Sequence, residues 1–155
     1  MRNFHFPGRS IVYGRRAMCA TSHPMASLTA VSILKQGGNA VDAAIATAAV
    51  LTVVEPQMTG IGGDCFALIA RPGHGRPVAH NAAGHAPAGA TAEWLAKSGL
   101  ARIEPTRPHA VTVPGAIDGW TRLVADYGSM PLSELLAAGI ERGEQGGVVG
   151  PRRGA

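Results

Sequence analysis

The sequence predicts a mixed α/β domain of the α+β kind, and three observations carry that reading. An apolar helix at Ala40–Val54 has its own start and stop signals. Two short apolar runs, residues 64–71 and 76–81, flank a Pro72-Gly73-His74-Gly75 turn and make a hairpin. The full order, β-α-α-β-β-α-β-α-α, is not the alternating βαβ of a doubly wound nucleotide-binding fold.

Residues 1–14 show no hydrophobic period and read as an N-terminal arm. Residues 17–21 (Ala-Met-Cys-Ala-Thr) are predicted to form a short buried strand. Ser22 is placed to cap the next helix, with Pro24 suited to its first turn. That helix is expected to run to about Gln36, with Met25, Leu28, Val31 and Leu34 along one side and Lys35 in the last turn. Gly37 and Gly38 end it, Asn39 caps the Ala40–Val54 helix, and Asp42 sits in its first turn. Small and apolar residues cover all faces of this helix, so it is expected to be buried all round. Glu55-Pro56 stops it, because a residue before proline is pushed out of the α region. The segment is shorter and more polar than the ~20 apolar residues of a membrane span.

Past the hairpin, Pro87, Gly89 and Thr91 lead into a short helix over residues 92–97. Residues 100–109 form a proline-rich loop, and residues 110–113 read as a strand. Pro114-Gly115 then turns into a helix over residues 117–127, with Ile117, Trp120, Leu123 and Val124 inward and Gly128 as its stop. Pro131 opens a last helix over residues 132–142, with Leu135, Leu136 and Ile140 inward, and residues 143–155 read as a frayed glycine-rich tail.

At 155 residues the chain suffices for one domain with a core, and 46% hydrophobic against 15% charged residues fits a globular protein. The net charge of +4 comes largely from arginines near the two ends, with no basic stripe, which argues against nucleic-acid binding. Cys19 and Cys65 lack CxxC spacing and read as buried thiols rather than metal or redox residues. His5, His23, His74, His80, His85 and His109 show no HxH or HExxH spacing, so no metal is expected, and most read as surface or turn residues. The first ten residues contain no apolar stretch of the kind a secretory signal needs. A cytoplasmic location is therefore expected, or export if the start codon is mis-assigned.

Gly37-Gly38-Asn39-Ala40-Val41-Asp42-Ala43-Ala44, followed some twenty residues later by Gly60-Ile61-Gly62-Gly63-Asp64, resembles the start of the large subunit of the γ-glutamyltranspeptidase (γ-glutamyltransferase) family. Ala20-Thr21-Ser22-His23-Pro24 and Val113-Pro114-Gly115 match further family segments. The likeness runs from about Tyr13 to Pro151, so the domain is set at residues 15–151, with 152–155 as tail. It implies an incomplete αββα sandwich, in which two antiparallel sheets lie between helical layers. It also implies an N-terminal-nucleophile hydrolase that cuts itself in two, and an acyl-threonine intermediate formed from γ-glutamyl amides such as glutathione. The catalytic threonine is then expected beyond Ala155, on a C-terminal small-subunit polypeptide that supplies the remaining strands. The chain alone is expected to be inactive, whether a truncated product or one half of a split enzyme. No cofactor is implied, and neither a nucleic-acid nor a membrane partner.

Thr21-Ser22-His23 is superficially like a nucleophile segment. A terminal threonine must use its own α-amino group as base, and here Pro24 starts a helix, so the triplet reads as a strand end and cap. The Gly60–Asp64 run lacks the Gly-Lys-Ser/Thr of a phosphate loop and is followed by a strand, so it reads as a tight turn. The informative stretch is Asn81-Ala82-Ala83-Gly84-His85-Ala86-Pro87. The resemblance implies an arginine four residues before the proline, where a planar guanidinium clamps the α-carboxylate of the γ-glutamyl group. Ala83 stands there, and a methyl group cannot pair with a carboxylate. A related branch carries Gly-Arg-Ala-Pro, in which His85 replaces the arginine. Two substrate classes follow: γ-glutamyl amides held by a shifted clamp with His85 as partial substitute, or another small acyl amide of the oxamate or cephalosporin side-chain type. Trp94 and Trp120 read as packing residues, and Arg107 as a solvated loop arginine.

Overall fold

The structure is a computed structural model and describes residues 11–147. The boundary at 151, the 152–155 tail and most of the N-terminal arm lie outside the described residues. The described residues form five α-helices and one hairpin, and the central helix α2 (Ala40–Val54) lies between α1 (Pro24–Lys35) and α5 (Leu132–Gln145). The hairpin pairs β1 (Cys65–Ile69) with β2 (Val78–Ala82), antiparallel, with Cys65 opposite Ala82 and Ile69 opposite Val78. Helix α3 (Ala92–Lys97) stands at the periphery, and α4 (Ala116–Tyr127) lies across the inner face of the hairpin.

Helix α2 has the predicted bounds, and only Ala40 and Ala44 are exposed along it. Asn39 caps it by accepting from the Val41 and Asp42 N–H groups, while the Asp42 carboxylate accepts from the Asn39 N–H at 2.8 Å. This reciprocal pair satisfies donors that a helix start otherwise leaves unpaired. The α2 alanines allow close approach: a Cβ on Gly139 of α5 would lie 3.0 Å from the Ala49 backbone. Leu135, fully buried, fills the core beside Ile45, Ala46, Trp120 and Leu123.

Four expectations are corrected. The side of α1 facing α2 is Ala26, Ala30 and Ile33, whereas Leu28 and Val31 are exposed. A spacing of three drifts around a 3.6-residue turn, and the i, i+4, i+7 line of two alanines and Ile33 is what fits against α2. In α4 the buried line is Ala116, Gly119, Trp120 and Leu123, and Ile117 faces outward. In α5 Ile140 is 55% exposed, because Gly139 takes the position facing α2 and its neighbour is turned about 100° away. That helix also continues three residues past Arg142.

Neither of the two remaining predicted strands forms. Residues 17–21 join no ladder, since no described strand lies beside them, although Cys19 packs partly against the core. Residues 110–113 form no strand either: Pro108–Ala110 is a short 3₁₀ turn, and Thr112 and Val113 make two isolated bonds to residues 83 and 85, just past β2. The outer face of β1 leaves Phe66 and Leu68 exposed.

Candidate functional site

Three segments converge at the Cys65–Ala82 end of the hairpin. The Gly63 carbonyl accepts from the N–H groups of Gly115 and Ala116, at 3.0 and 3.1 Å, which fastens the glycine turn to the start of α4. The Val113 N–H donates to the His85 carbonyl at 2.8 Å, and Thr112 Oγ1 donates to the Ala83 carbonyl at 3.2 Å. Gly115 packs so closely on β2 that a Cβ there would lie 2.3 Å from the Ala82 carbonyl oxygen. Gly84 has φ +79°, and its Cβ would overlap the Val113 oxygen at 1.9 Å. Only glycine meets both demands at position 84.

Within this corner the Ala83 N–H is held by the Asn81 side chain at 3.0 Å, so β2 ends in a side-chain-stabilised turn. Ala83 is half-buried and offers only a methyl group, and His85 is exposed beyond the turn. The structure thus brings together the Gly60–Asp64 turn, the Ala83–His85 stretch and the Val113-Pro114-Gly115 turn. Thr112 was not singled out in the sequence, and nothing local marks it, since its partner lies 29 residues away.

Thr21, Ser22 and His23 are engaged structurally. Thr21 Oγ1 donates to the His23 carbonyl at 2.8 Å, and the Ser22 hydroxyl donates to the Glu55 carboxylate. His23, not Ser22, caps α1: its Nδ1 accepts from the Met25 N–H at 3.2 Å and the ring is buried. Ser22 is instead a latch between the start of α1 and the end of α2. His23 is thus a buried histidine among six of which most are expected at surfaces and turns. Trp120 is core, whereas Trp94 is 47% exposed and lies against His109 in a tilted arrangement with ring centroids 5.7 Å apart.

Burial raises both thiols above the ordinary cysteine value; for Cys65 the neighbouring Asp64 adds to this and a hydrogen bond with Trp120 opposes it. Neither is poised as a nucleophile. Among the described residues no cluster of three His, Cys, Asp or Glu side chains could hold a metal, and no helix is long and apolar enough to cross a membrane. A cavity of about 380 Å³ lies at the other end of the hairpin, by Ile69, Arg71 and Tyr127, away from this corner.

The mixed helical and hairpin fold, with a glycine turn and a strand end joined at one corner, is part of the N-terminal-nucleophile hydrolase fold of its solved relatives. The chain belongs to the gamma-glutamyltranspeptidase family, whose sequence profile matches residues 26–155. It is similar to the acylase ACY 1 proenzyme of Pseudomonas sp. (strain SE83), with 41% identity over 147 residues, covering 89% of this chain and 26% of that protein. The glutathione hydrolase proenzyme of Bacillus subtilis (strain 168) is 35% identical over 144 residues, covering 89% of this chain and 24% of that protein. Among solved structures, a cephalosporin acylase from Bacillus halodurans superposes with a TM-score of 0.78 at 39% identity, over 96% of this chain and 29% of that one. The chain therefore spans about a quarter of the length of these relatives.

Proposed function

We propose that these residues form the N-terminal wall of an enzyme that cleaves or transfers the acyl group of small amides through an acyl-threonine intermediate. The threonine, and the groups that hold the oxyanion, come from a small-subunit polypeptide docked on this one. The observation that supports this reading is the corner itself: two turns and the chain at the end of β2 are tied together by hydrogen bonds, which braces an edge for a partner segment. γ-Glutamyl amides are the first donors to test, with exposed His85 as a contact for the donor carboxylate.

A second reading has its own support. Ala83 places no cation at the β2 end, which favours small acyl amides of the oxamate or cephalosporin side-chain type over γ-glutamyl amides. Expression of the full reading frame should give a precursor that splits into two chains and releases p-nitroaniline from γ-glutamyl- or glutaryl-p-nitroanilide. An uncleaved precursor with no release from either substrate would sink the proposal. His85→Ala should raise KM for the γ-glutamyl donor, and an unchanged KM removes His85 from the site. Residues 1–155 alone should release nothing.

A further inference from the structure

Past the hairpin, the chain between α3 and the 3₁₀ turn is lightly fastened. Helix α3 buries no residue, and its end is closed by the Ser98, Gly99 and Leu100 N–H groups, which donate to the Trp94, Ala96 and Leu95 carbonyls. The next backbone donor is the Arg107 N–H, to the Glu104 carbonyl at 3.0 Å. Between them Ala101, Arg102 and Ile103 make no backbone hydrogen bond among the described residues, and no helix or strand includes them. Exposed backbone without such bonds opens at little cost, and segments of this kind are where proteases cut.

The side chains single out one bond in this segment. Of the arginines in the described loops after α2, Arg71, Arg76 and Arg107 each precede a proline, whereas Arg102 precedes Ile103. Proline has no N–H and a fixed φ, and it restricts the residue before it, so a bond of that kind fits an extended protease cleft badly. Lys35, Lys97, Arg122 and Arg142 lie within helices, which must unwind to enter such a cleft. The Arg102 side chain is 80% exposed, and its ion pair with Glu104 is of the exposed kind worth about 1 kcal/mol at most. An acidic specificity pocket therefore displaces it readily.

We propose that Arg102–Ile103 is a processing site for an arginine-directed serine protease, and that the cut chain stays assembled. Water adds across the amide: its oxygen joins the Arg102 carbonyl carbon to give a carboxylate, and its two protons leave Ile103 with an ammonium group. The protease supplies the transient nucleophile and is regenerated. The pieces 1–102 and 103–155 remain joined because the second carries α4 and α5. Leu135 of α5 and Trp120 and Leu123 of α4 share one core with Ile45 and Ala46 of α2, and the Val113 N–H donates to the His85 carbonyl across the break. The inference does not depend on the acyl-amide reading, and the cut is distinct from the self-cleavage expected further along the chain.

The test is limited digestion of the 155-residue chain with trypsin, read by intact mass and by gel filtration under native conditions. The first cut between residues 17 and 151 should fall after Arg102. Trimming after Arg15, Arg16, Arg152 or Arg153 shortens the two pieces only at their outer ends. Arg102→Gln, on an exposed side chain, should slow the internal cut on the order of a hundredfold or more. Ile103→Pro should do the same while keeping the arginine. The cut protein should elute with the uncut one and separate only in denaturant. A first internal cut after any other residue, a rate unmoved by either substitution, or elution of the pieces as separate species overturns the proposal. A chain that loses its ends while residues 17–151 stay whole overturns it too.

Discussion

Replacing Asp42 by asparagine removes a charge from the point where the start of α2 meets the turn between α4 and α5. The carboxylate is fully buried and accepts from the Asn39 N–H at 2.8 Å, the Ser129 N–H at 3.0 Å, the Ser129 hydroxyl at 2.6 Å and the Met130 N–H at 3.3 Å. Burial alone would raise its pKa; the hydrogen bonds from Ser129, Asn39 and Met130 outweigh that and hold it below the ordinary aspartate value. Asparagine keeps the shape but turns one acceptor oxygen into a donor facing donors, which removes about two of these bonds. At about 1.5–3 kcal/mol for each charge-assisted bond, the loss is about 3 kcal/mol or more. Urea unfolding at pH 7, followed by far-ultraviolet circular dichroism, reads this directly. With a slope of about 2 kcal/mol per molar, the midpoint should fall by about 1.5 M. The sign with pH is also fixed. A depressed carboxylate contributes stability that is present above its unfolded pKa and is lost as pH falls below about 4. The wild-type chain should therefore lose stability more steeply than Asp42→Asn in that range. A midpoint within about 0.3 M of wild type at pH 7, or parallel acid limbs for the two proteins, would refute the reasoning.

Two further substitutions probe the core and the corner. Leu135→Ala should cost about 2–5 kcal/mol by leaving a cavity against α2, whereas Ile140→Ala, on the exposed side of the same helix, should stay within about 0.5 kcal/mol. Equal losses in urea unfolding would mean that α5 is rotated from the position described. Gly84→Ala forces a Cβ onto the Val113 carbonyl at positive φ and should cost at least about 2 kcal/mol. Hydrogen exchange should show the Val113 N–H losing its protection, and unchanged protection at that amide would mean the two segments are not joined there.

Local chemistry was enough to read much of this chain. Asn39 and Asp42 at the start of α2, Glu55-Pro56 at its end, and the Pro72-Gly73 turn act over a few residues, and each does in the structure what its residue type dictates. α3 has its predicted bounds for the same reason, with Thr91 accepting from the Trp94 N–H. The missed features depend on neighbours that are distant in sequence. Which side of α1 faces inward is set by the alanine surface of α2, so Ala26 and Ala30 displace the larger Leu28 and Val31 from the core. Residues 17–21 have strand composition but no ladder partner among the described residues. The candidate site divides the same way. Ala83 and His85 stand out as a changed motif, whereas Thr112 gains its relevance from a chain reversal that brings residues 112 and 113 beside residues 83 and 85.

The sequence by itself determined the family, the bounds of α2 and α3 and the hairpin, because capping, turn and proline effects are decided within a turn or two of chain. Only the tertiary structure decided which faces are buried, that Asp42 joins α2 to the turn after α4, and that Thr112 and Val113 bond to the chain just past β2. Packing and electrostatics act through space, and contacts between residues 29 or 87 positions apart leave no periodic trace along the chain.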